Sequence, residues 1–536
     1  MSFRRLAYTP DALGEQIALL SHADHEDILE KPQLDHFQEY FDVPPRGLGA
    51  KTMIIEEHYI DRDYLDDFVG YFAKCFKAPH SQCSRIHFFS EEITDSDFRD
   101  FLQTGKEISA LEGSASYIGF MVVKPLPSTP IGRTCLRPYS TVTTGRYFPA
   151  IQECEANILG KRLLLSSLAF QEQDSEVGAC ATSALWTAFQ GTSKLFNHRA
   201  PTPIEITRLA IERGGAATDG SLPARSFPAK EGLDIFQMSD AVRKVGLEPH
   251  CAAAYNSRQL QAELYAYIRA GIPVVLSIHL VKLEKDENGN QVAIPDGGHA
   301  VTVAGIHVGE ERSKAWKEDD LALTASKIDK LYVHDDQIGP FARMELKGRK
   351  ILYSDSDGDD GKGVEVLETT WLDDNGDEGN IVAIPLAMLV PLYPKVRLKF
   401  DVVMGAVIEL DAGISKLVGT NVLKSLPSFE WDIDLVTNPQ LKAELADSRG
   451  ITGHYRAELL MSSLPKYIWR CRAQCNPETP LFEVLFDATD LEQGTYFLRV
   501  VRHDPQALKV RRFAEKSAFS SYTPVVRKAL MSIACE

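Results

Sequence analysis

The sequence predicts an α+β protein in which a helix-borne cysteine packs on an antiparallel sheet, with additional α/β modules on either side. Two observations lead to this fold class. Helical patterns over residues 155–212 and 231–270 precede a series of β-branched, apolar runs that begins at Ile272. Turn residues between the first two of these runs favour neighbouring strands that run in opposite directions. A layer of helices is therefore expected on this sheet.

The length of the chain predicts more than one domain, because 536 residues exceed what a single hydrophobic core usually holds. The expected divisions are an N-terminal α/β module over residues 1–155, the helix-and-sheet domain over 156–398 with a charged insertion at 309–329, and a mixed α/β extension over 399–536. Within the first module, the pattern predicts a helix at Asp61–Phe76 and a strand at Tyr117–Val123.

Three apolar runs form the expected sheet. Gly271 ends a helix over Ser257–Ala270, and Ile272–Leu280 follows as a strand of the buried type. The runs His299–Ile306 and Lys330–His334 have the same character. Because the turn residues DENGN lie between the first two runs, we expect residues 272–280 to pair with 299–306 in the antiparallel sense.

Composition and charge exclude several classes of function. The net charge of -17 opposes nucleic acid binding, which requires a basic surface. The chain has no apolar run long enough for a signal peptide or a membrane span, so no membrane partner is expected. Nine cysteines without a repeated spacing fit a reducing compartment, which predicts a cytoplasmic protein.

No cofactor or metal ion is expected. Asp355, Asp357 and Asp359 alternate as in a calcium-binding loop, but Asp360 replaces the required glycine and Val366 replaces the bidentate glutamate. The chain also lacks a zinc-protease motif and a dinucleotide-binding fingerprint. The acidic segment is therefore interpreted as a solvated hairpin loop.

The segment QEQDSEVGACATSALWTAF places Cys180 at the start of a predicted helix whose apolar side carries Leu185, Trp186 and Phe189. Unpaired backbone N–H groups and the helix dipole favour a thiolate at such a position. One cysteine before a helix is weak evidence, because free cysteine is often simply buried. A partner histidine is therefore required for a catalytic interpretation.

His299 is the predicted partner, because Gly297 and Gly298 precede it and an apolar strand follows it. His279, His307 and His334 are alternatives. His279 lies late in a buried strand, which is typical of a core residue, and His334 is expected to point to the opposite face of its own strand.

The strand LYVHDDQIGPF ends in Asp335 and Asp336, either of which can orient the imidazole. An oxyanion would be stabilised by the Cys180 backbone N–H together with a side-chain amide. Gln173, seven residues before the cysteine, is the nearest candidate for that amide.

The stretches AGIPVVLSIHL, GGHAVTVAGI and LYVHDDQ, in this order after the cysteine helix, resemble the papain-like cysteine peptidases related to the double-glycine leader peptidases of bacteriocin exporters. TPIEITRLAIERGG and GLDIFQMSDAVRKVGLEP resemble the two helical units between nucleophile and base in that family. The resemblance covers residues 165–345. No transporter follows, because spanning segments and a phosphate-binding glycine loop are both absent from the sequence.

The resemblance implies Cys180 as nucleophile, His299 as general base, Asp335 as orienting acid and Gln173 as oxyanion donor. The chain departs from the family at three points. Ala181 stands where the family has glycine, the family glutamine lies six residues before the cysteine, and an Asp-Pro pair is replaced by Asp335–Asp336. Gln171 and Asp336 therefore remain alternatives to Gln173 and Asp335.

The expected activity is that of a cysteine hydrolase, which cleaves a peptide or isopeptide bond through a thioacyl-enzyme intermediate. The partner is then a protein or peptide substrate. The same groups also support acyl transfer to an amine, as in transglutaminases. A papain-like scaffold that binds without catalysis is the alternative from another class of function. The sequence carries no signal for an oligomeric state.

Overall fold

The computed structural model describes residues 3–141, 145–174, 176–211, 232–285, 291–310, 321–346, 348–353, 362–371, 379–475, 480–490, 495–504, 507–512 and 514–534. These residues divide into two compact units. The first comprises Met1–Tyr255, Gly271–His307 and Asp329–Pro391, and the second comprises Asn256–Ala270, Val308–Ile328 and Leu392–Glu536. The expected N-terminal module and the segment that carries Cys180 thus belong to the same unit.

The helices of the first unit are α1 (Pro10–Ser21), α2 (His25–Leu29), α3 (Pro32–Phe41), α4 (Arg62–Gly70), α5 (Asp95–Thr104), α6 (Ser109–Glu112), α7 (Cys180–Phe196), α8 (Pro203–Ile211) and α9 (Ile235–Lys244), with a short 3-10 helix at Phe72–Lys74. Its strands are β1 (Phe3–Ala7), β2 (Thr52–Tyr59), β3 (Cys83–Phe89), β4 (Tyr117–Val123), β5 (Ile131–Leu136), β6 (Arg146–Tyr147), β7 (Gln152–Ile158), β8 (Lys161–Ser167), β9 (Glu248–Ala253), β10 (Val274–Lys285), β11 (Gln291–Val308), β12 (Ile328–Asp335), β13 (Gly339–Glu345), β14 (Lys350–Tyr353), β15 (Lys362–Glu365) and β16 (Ile381–Leu392).

An antiparallel sheet with the order β1-β2-β3-β4-β5 forms the N-terminal part of the first unit. Both of its faces are buried. Met53 and Ile55 on β2 belong to one hydrophobic core, and Ile54 between them belongs to another. Alternate side chains of a strand point to opposite faces, so this sheet is covered on both sides. The core on the Ile54 side also contains Trp186 of α7, which explains why the two regions form one unit.

A larger sheet has the order β13-β12-β11-β10-β16-β9, and β6 pairs with the end of β11. The predicted antiparallel pairing of β10 with β11 is confirmed, with Val274 opposite Val303 and Leu280 opposite Gly297. The helix before β10 ends as predicted, because Gly271 adopts φ 78°, a left-handed conformation that glycine adopts without strain.

Helix α7 packs on this larger sheet. Ala184 on the helix shares a hydrophobic core with Val275 of β10 and Ala300 of β11. The Thr302 hydroxyl of β11 donates a hydrogen bond of 2.7 Å to the Ala184 carbonyl. The first turn of α7 is thereby held against the strand that carries His299.

The helical assignment of residues 155–167 is wrong. Strands β7 and β8 form an antiparallel hairpin there, with Ile158 opposite Lys161. The connecting residues Leu159 and Gly160 have φ values of 50° and 80°, as in the two-residue turns that join paired strands. Local turn geometry therefore prevails over the apolar periodicity of this segment, and the helical layer begins at Cys180.

The second unit contains helices α10 (Ser257–Arg269), α11 (Phe400–Gly419), α12 (Asn438–Asp447), α13 (Gly453–Met461) and α14 (Pro524–Ala534), short 3-10 helices at Thr324–Lys327 and Lys516–Phe519, and strands β17 (Glu430–Thr437), β18 (Tyr467–Gln474), β19 (Pro480–Asp487) and β20 (Phe497–Arg502). The four strands form one antiparallel sheet in this order. Arg470 is fully buried on it, and its guanidinium donates to both carboxylate oxygens of Asp434, at 2.9 and 2.7 Å. This bidentate pair supplies the compensation that a buried cation requires.

The mixed α and antiparallel β architecture confirms the α+β class. Among the described helices, none combines the length and the apolar composition that crossing a membrane requires. The DENGN turn, the aspartates of the calcium-like loop and most of the charged 309–329 insertion lie outside the described residues.

Candidate active site

Cys180 is the first residue of α7, as the sequence predicted, and its side chain is half-buried. Ala179 occupies the N-cap position and provides no side-chain hydrogen bond. The Ser183 N–H donates to the Ala179 carbonyl at 3.0 Å, which is the bond that closes the first helical turn. The backbone N–H of Cys180 precedes this bond and has no acceptor within the helix, as is general for a first turn. The thiol therefore lies at the positive end of the α7 dipole.

The loop before α7 is held by Asp174. One carboxylate oxygen of Asp174 accepts hydrogen bonds from the N–H groups of Glu176, Val177 and Gly178, and the Asp174 N–H donates to the Gly178 carbonyl at 3.1 Å. Short side chains that accept from nearby backbone N–H groups stabilise tight turns. The turn directs the chain into the helix at Cys180.

The same loop is attached to the N-terminal part of the unit through Glu172. Its carboxylate lies 2.6 Å from the Lys31 ammonium and accepts a hydrogen bond from the Ile131 N–H at 3.1 Å. Gln171 is buried and Gln173 is half-buried on either side of this anchor. Within the described residues, neither glutamine makes a side-chain hydrogen bond, so the structure does not distinguish Gln173 from Gln171 as the amide donor.

His299 lies on β11 opposite Ile278 of β10 and is almost fully buried. Its Nε2 atom is 2.9 Å from Oδ1 of Asp335, and the Cys180 side chain is a further hydrogen-bond partner of the imidazole. The structure therefore brings Cys180, His299 and Asp335 together, although they are far apart in the sequence. This is the order of contacts that a thiol, an imidazole and an orienting carboxylate require.

Asp335 is held in place by two further donors. The Gln337 N–H donates to Oδ1 and the Trp371 indole N–H donates to Oδ2, both at 3.0 Å. Asp335 has no exposed surface. Trp371 was not predicted as a site residue, since it follows the acidic loops and no motif marks it. Its strand-like neighbourhood and its indole donor are the only signals in the sequence.

The charge state of His299 follows from its surroundings. Burial alone would lower the pKa of His299, but the charges of Asp335 and Asp336, together with hydrogen bonds from Asp335 and Cys180, raise it well above its usual value. The imidazolium is therefore the favoured form at neutral pH. A cation beside the thiol favours the thiolate of Cys180.

Asp336 is also buried beside the imidazole, with its Oδ1 atom 3.8 Å from His299 Nε2. Its Oδ2 atom is buried without a hydrogen-bond partner. Burial raises the pKa of Asp336 to about 7, the His299 cation opposes this change, and the Asp335 charge adds to it. Geometry therefore favours Asp335 over Asp336 as the partner of His299.

The alternative histidines lie elsewhere. The ring of His279 contacts Tyr353, and His307 pairs with Asp329. His334 is buried among aromatic rings, and burial lowers its pKa to about 3. None of these three contacts includes Cys180.

The same cluster is also the candidate metal site in the described part of the chain. His299, Asp335 and Asp336 each offer one ligand atom, and these atoms lie within 4.8 Å of one another. Imidazole and carboxylate groups are suitable zinc ligands. However, both oxygens of Asp335 already accept hydrogen bonds, and only Asp336 offers an unpartnered oxygen. The donor set therefore fits a histidine held by a carboxylate better than a metal centre.

No protein-family model matches this sequence, and no curated protein matches it either. The functional interpretation therefore depends on the geometry of the site.

Proposed function

We propose that the chain is a papain-like cysteine hydrolase that cleaves a peptide or isopeptide bond through a thioacyl-enzyme intermediate. One observation carries this proposal. The buried His299 is hydrogen-bonded to Asp335 on one side and to the thiol of Cys180 on the other. A cysteine at a helix N-terminus, packed against a strand that bears the histidine, also supports the papain-like arrangement.

In the first half of the reaction, the Cys180 thiolate attacks the substrate carbonyl and forms a C–S bond. The carbonyl oxygen takes up the negative charge, which the Cys180 backbone N–H and the side-chain amide of Gln173 stabilise. The His299 imidazolium then donates its proton to the leaving amine as the C–N bond breaks. A thioester and a neutral imidazole remain.

In the second half, His299 accepts a proton from water, and the resulting hydroxide attacks the thioester. The C–S bond breaks, the carboxylic acid product leaves, and the thiolate–imidazolium pair forms again. Asp335 keeps the imidazole in one orientation through both halves, because Gln337 and Trp371 fix its carboxylate.

The proposal is tested by the pH dependence of Cys180 alkylation with iodoacetamide, followed by mass spectrometry of the Cys180 peptide. The rate is expected to persist below pH 7, because the imidazolium of His299 stabilises the thiolate. The exposed thiol of Cys75 is the internal control in the same protein. A Cys180 rate that falls about tenfold for each pH unit below about pH 8 contradicts the proposal.

A further inference from the structure

A cavity of about 440 Å³ lies next to the candidate catalytic histidine. Its lining includes Gln33, Asp296, Gly297, Gly298 and Trp371. Gly297 and Gly298 immediately precede His299, and Trp371 donates to Asp335. A group bound in this cavity would therefore lie beside the imidazole that protonates the leaving amine.

The strand that leads into this cavity has an unpaired edge. β10 pairs with one side of β11, where Lys282 lies opposite Ile294 and Leu280 opposite Gly297. On the other side lies β12, which starts near the far end of β11, where His307 pairs with Asp329, and ends at Asp335 beside His299. In the described residues, no strand pairs with this other side of residues 292–298.

The side chains and backbone of this edge are open to solvent. Val292 is 43% exposed and Ile294 is 40% exposed. A Cβ atom added at Gly297 or Gly298 would meet no atom within 4 Å. Natural proteins usually protect a strand edge with charges or a covering segment, because free N–H and C=O groups on such an edge pair readily with another chain. Exposed β-branched residues on an unprotected edge therefore indicate a binding surface.

We propose that residues 292–298 of β11 bind an extended polypeptide as an added β-strand, with one of its side chains in the adjacent cavity. An extended chain is the occupant that matches a row of unpaired backbone groups, whereas a folded surface or a small amide leaves most of them unpaired. This inference rests on the proposed function, since strand addition here delivers a main-chain carbonyl towards Cys180. It specifies the substrate class as unfolded or extended polypeptide segments.

The test uses the full chain with Cys180→Ala and two probes of the same sequence, native ribonuclease A and ribonuclease A that has been reduced and carbamidomethylated. Binding is measured by calorimetry. The unfolded probe is expected to bind at least about tenfold more tightly than the folded one, because only an extended chain can pair with the edge. The two probes have nearly the same charge, so electrostatic attraction does not account for such a difference.

Ile294→Lys and Val292→Lys, each added to Cys180→Ala, are expected to weaken binding of the unfolded probe by about tenfold or more. Leu352→Lys is the matched control, since Leu352 is 71% exposed on β14 and lies outside the edge. Thermal unfolding confirms that each variant is folded. Equal binding of the two probes, or equal effects of the edge and control variants, would overturn the inference.

The two proposals fail separately. Alkylation of Cys180 in the unaltered protein reports on the thiolate and does not depend on strand addition. If the edge binds the unfolded probe while Cys180 shows the pH dependence of an ordinary thiol, the proposed hydrolase is wrong and the binding surface stands. If Cys180 shows the thiolate profile while the edge variants have no effect, only the strand-addition inference is overturned.

Discussion

His299 shows which parts of the site depend on single residues. Sequence reasoning selected Cys180, His299 and a pair of adjacent acids, because each has a local signature at the start of a helix or at the end of a strand. The choice between the acids required geometry, since Asp335 lies 2.9 Å and Asp336 lies 3.8 Å from the same nitrogen. Trp371 could not be predicted, because its role depends on a hydrogen bond between segments that are separate in the sequence.

Separate Asp335→Asn and Asp336→Asn variants distinguish the two acids. Asp335→Asn removes the charge that is hydrogen-bonded to His299, so the imidazolium is less stable and the Cys180 alkylation rate at pH 6 is expected to fall by about tenfold or more. Asp336→Asn is expected to change this rate only slightly. Mass-spectrometric alkylation rates for both variants decide the matter, and equal effects would refute the assignment of Asp335.

The buried carboxyl of Asp336 predicts a pH-dependent stability. Burial raises its pKa to about 7, whereas the unfolded group titrates near its usual value of about 3.9. Between these values the native state holds a proton that the unfolded state has lost, so stability decreases as the pH rises, by about 1.4 kcal/mol per pH unit for one group.

Asp336→Asn abolishes this titration. The free energy of unfolding of the variant, relative to that of the unaltered protein, is therefore expected to be more favourable at pH 7 than at pH 5. Urea unfolding at the two pH values measures the difference. A difference between variant and unaltered protein that is the same at both pH values would show that Asp336 does not titrate in this range.

At the scale of elements, the sequence predicted most strands and helices of the first unit but not what holds α7. The strands at Tyr117–Val123 and after Gly271 were predicted from apolar runs, which report burial directly. The β7–β8 hairpin was missed, because its turn depends on positive φ values at Leu159 and Gly160, and leucine gives no sign of such a conformation. The ion pairs that join elements have no sequence signature.

Helix α7 is attached to α4 through a buried carboxylate. Asp63 on α4 accepts a hydrogen bond of 2.7 Å from the Trp186 indole and pairs with Arg133 at 2.5 Å. Asp63→Ala leaves the Arg133 cation without its closest partner and is expected to reduce the free energy of unfolding by about 3 to 5 kcal/mol.

Asp66→Ala, on the same helix but only half-buried, is the matched control. Its effect is expected to stay within about 1 kcal/mol. Chemical denaturation of both variants gives the comparison. Similar losses from Asp63→Ala and Asp66→Ala would mean that the Asp63 network does not hold α7.

At the scale of the molecule, the described contacts make residues 1–155 part of the unit that contains the site. Lys31 pairs with Glu172 in the loop before Cys180, and the Gln33 side-chain amide donates to the Asp336 carbonyl at 2.8 Å. Composition alone suggested a separate module, because breakers follow β4 and the helical pattern changes after them. Contacts between distant segments decide such a division, and these cannot be read from local patterns.

A chain that begins at residue 156 tests how the first 155 residues contribute. Such a chain lacks the Asp63 and Arg133 partners of α7 and the Lys31 partner of Glu172. Because apolar residues of α7 share one core with the N-terminal sheet, the shortened chain would also expose Trp186 and its neighbours to water. We expect it to lose cooperative unfolding, measured by calorimetry, and to lose Cys180 alkylation below pH 7. A shortened chain that unfolds cooperatively and keeps this reactivity would establish residues 156–398 as an independent catalytic domain and assign residues 1–155 to another role.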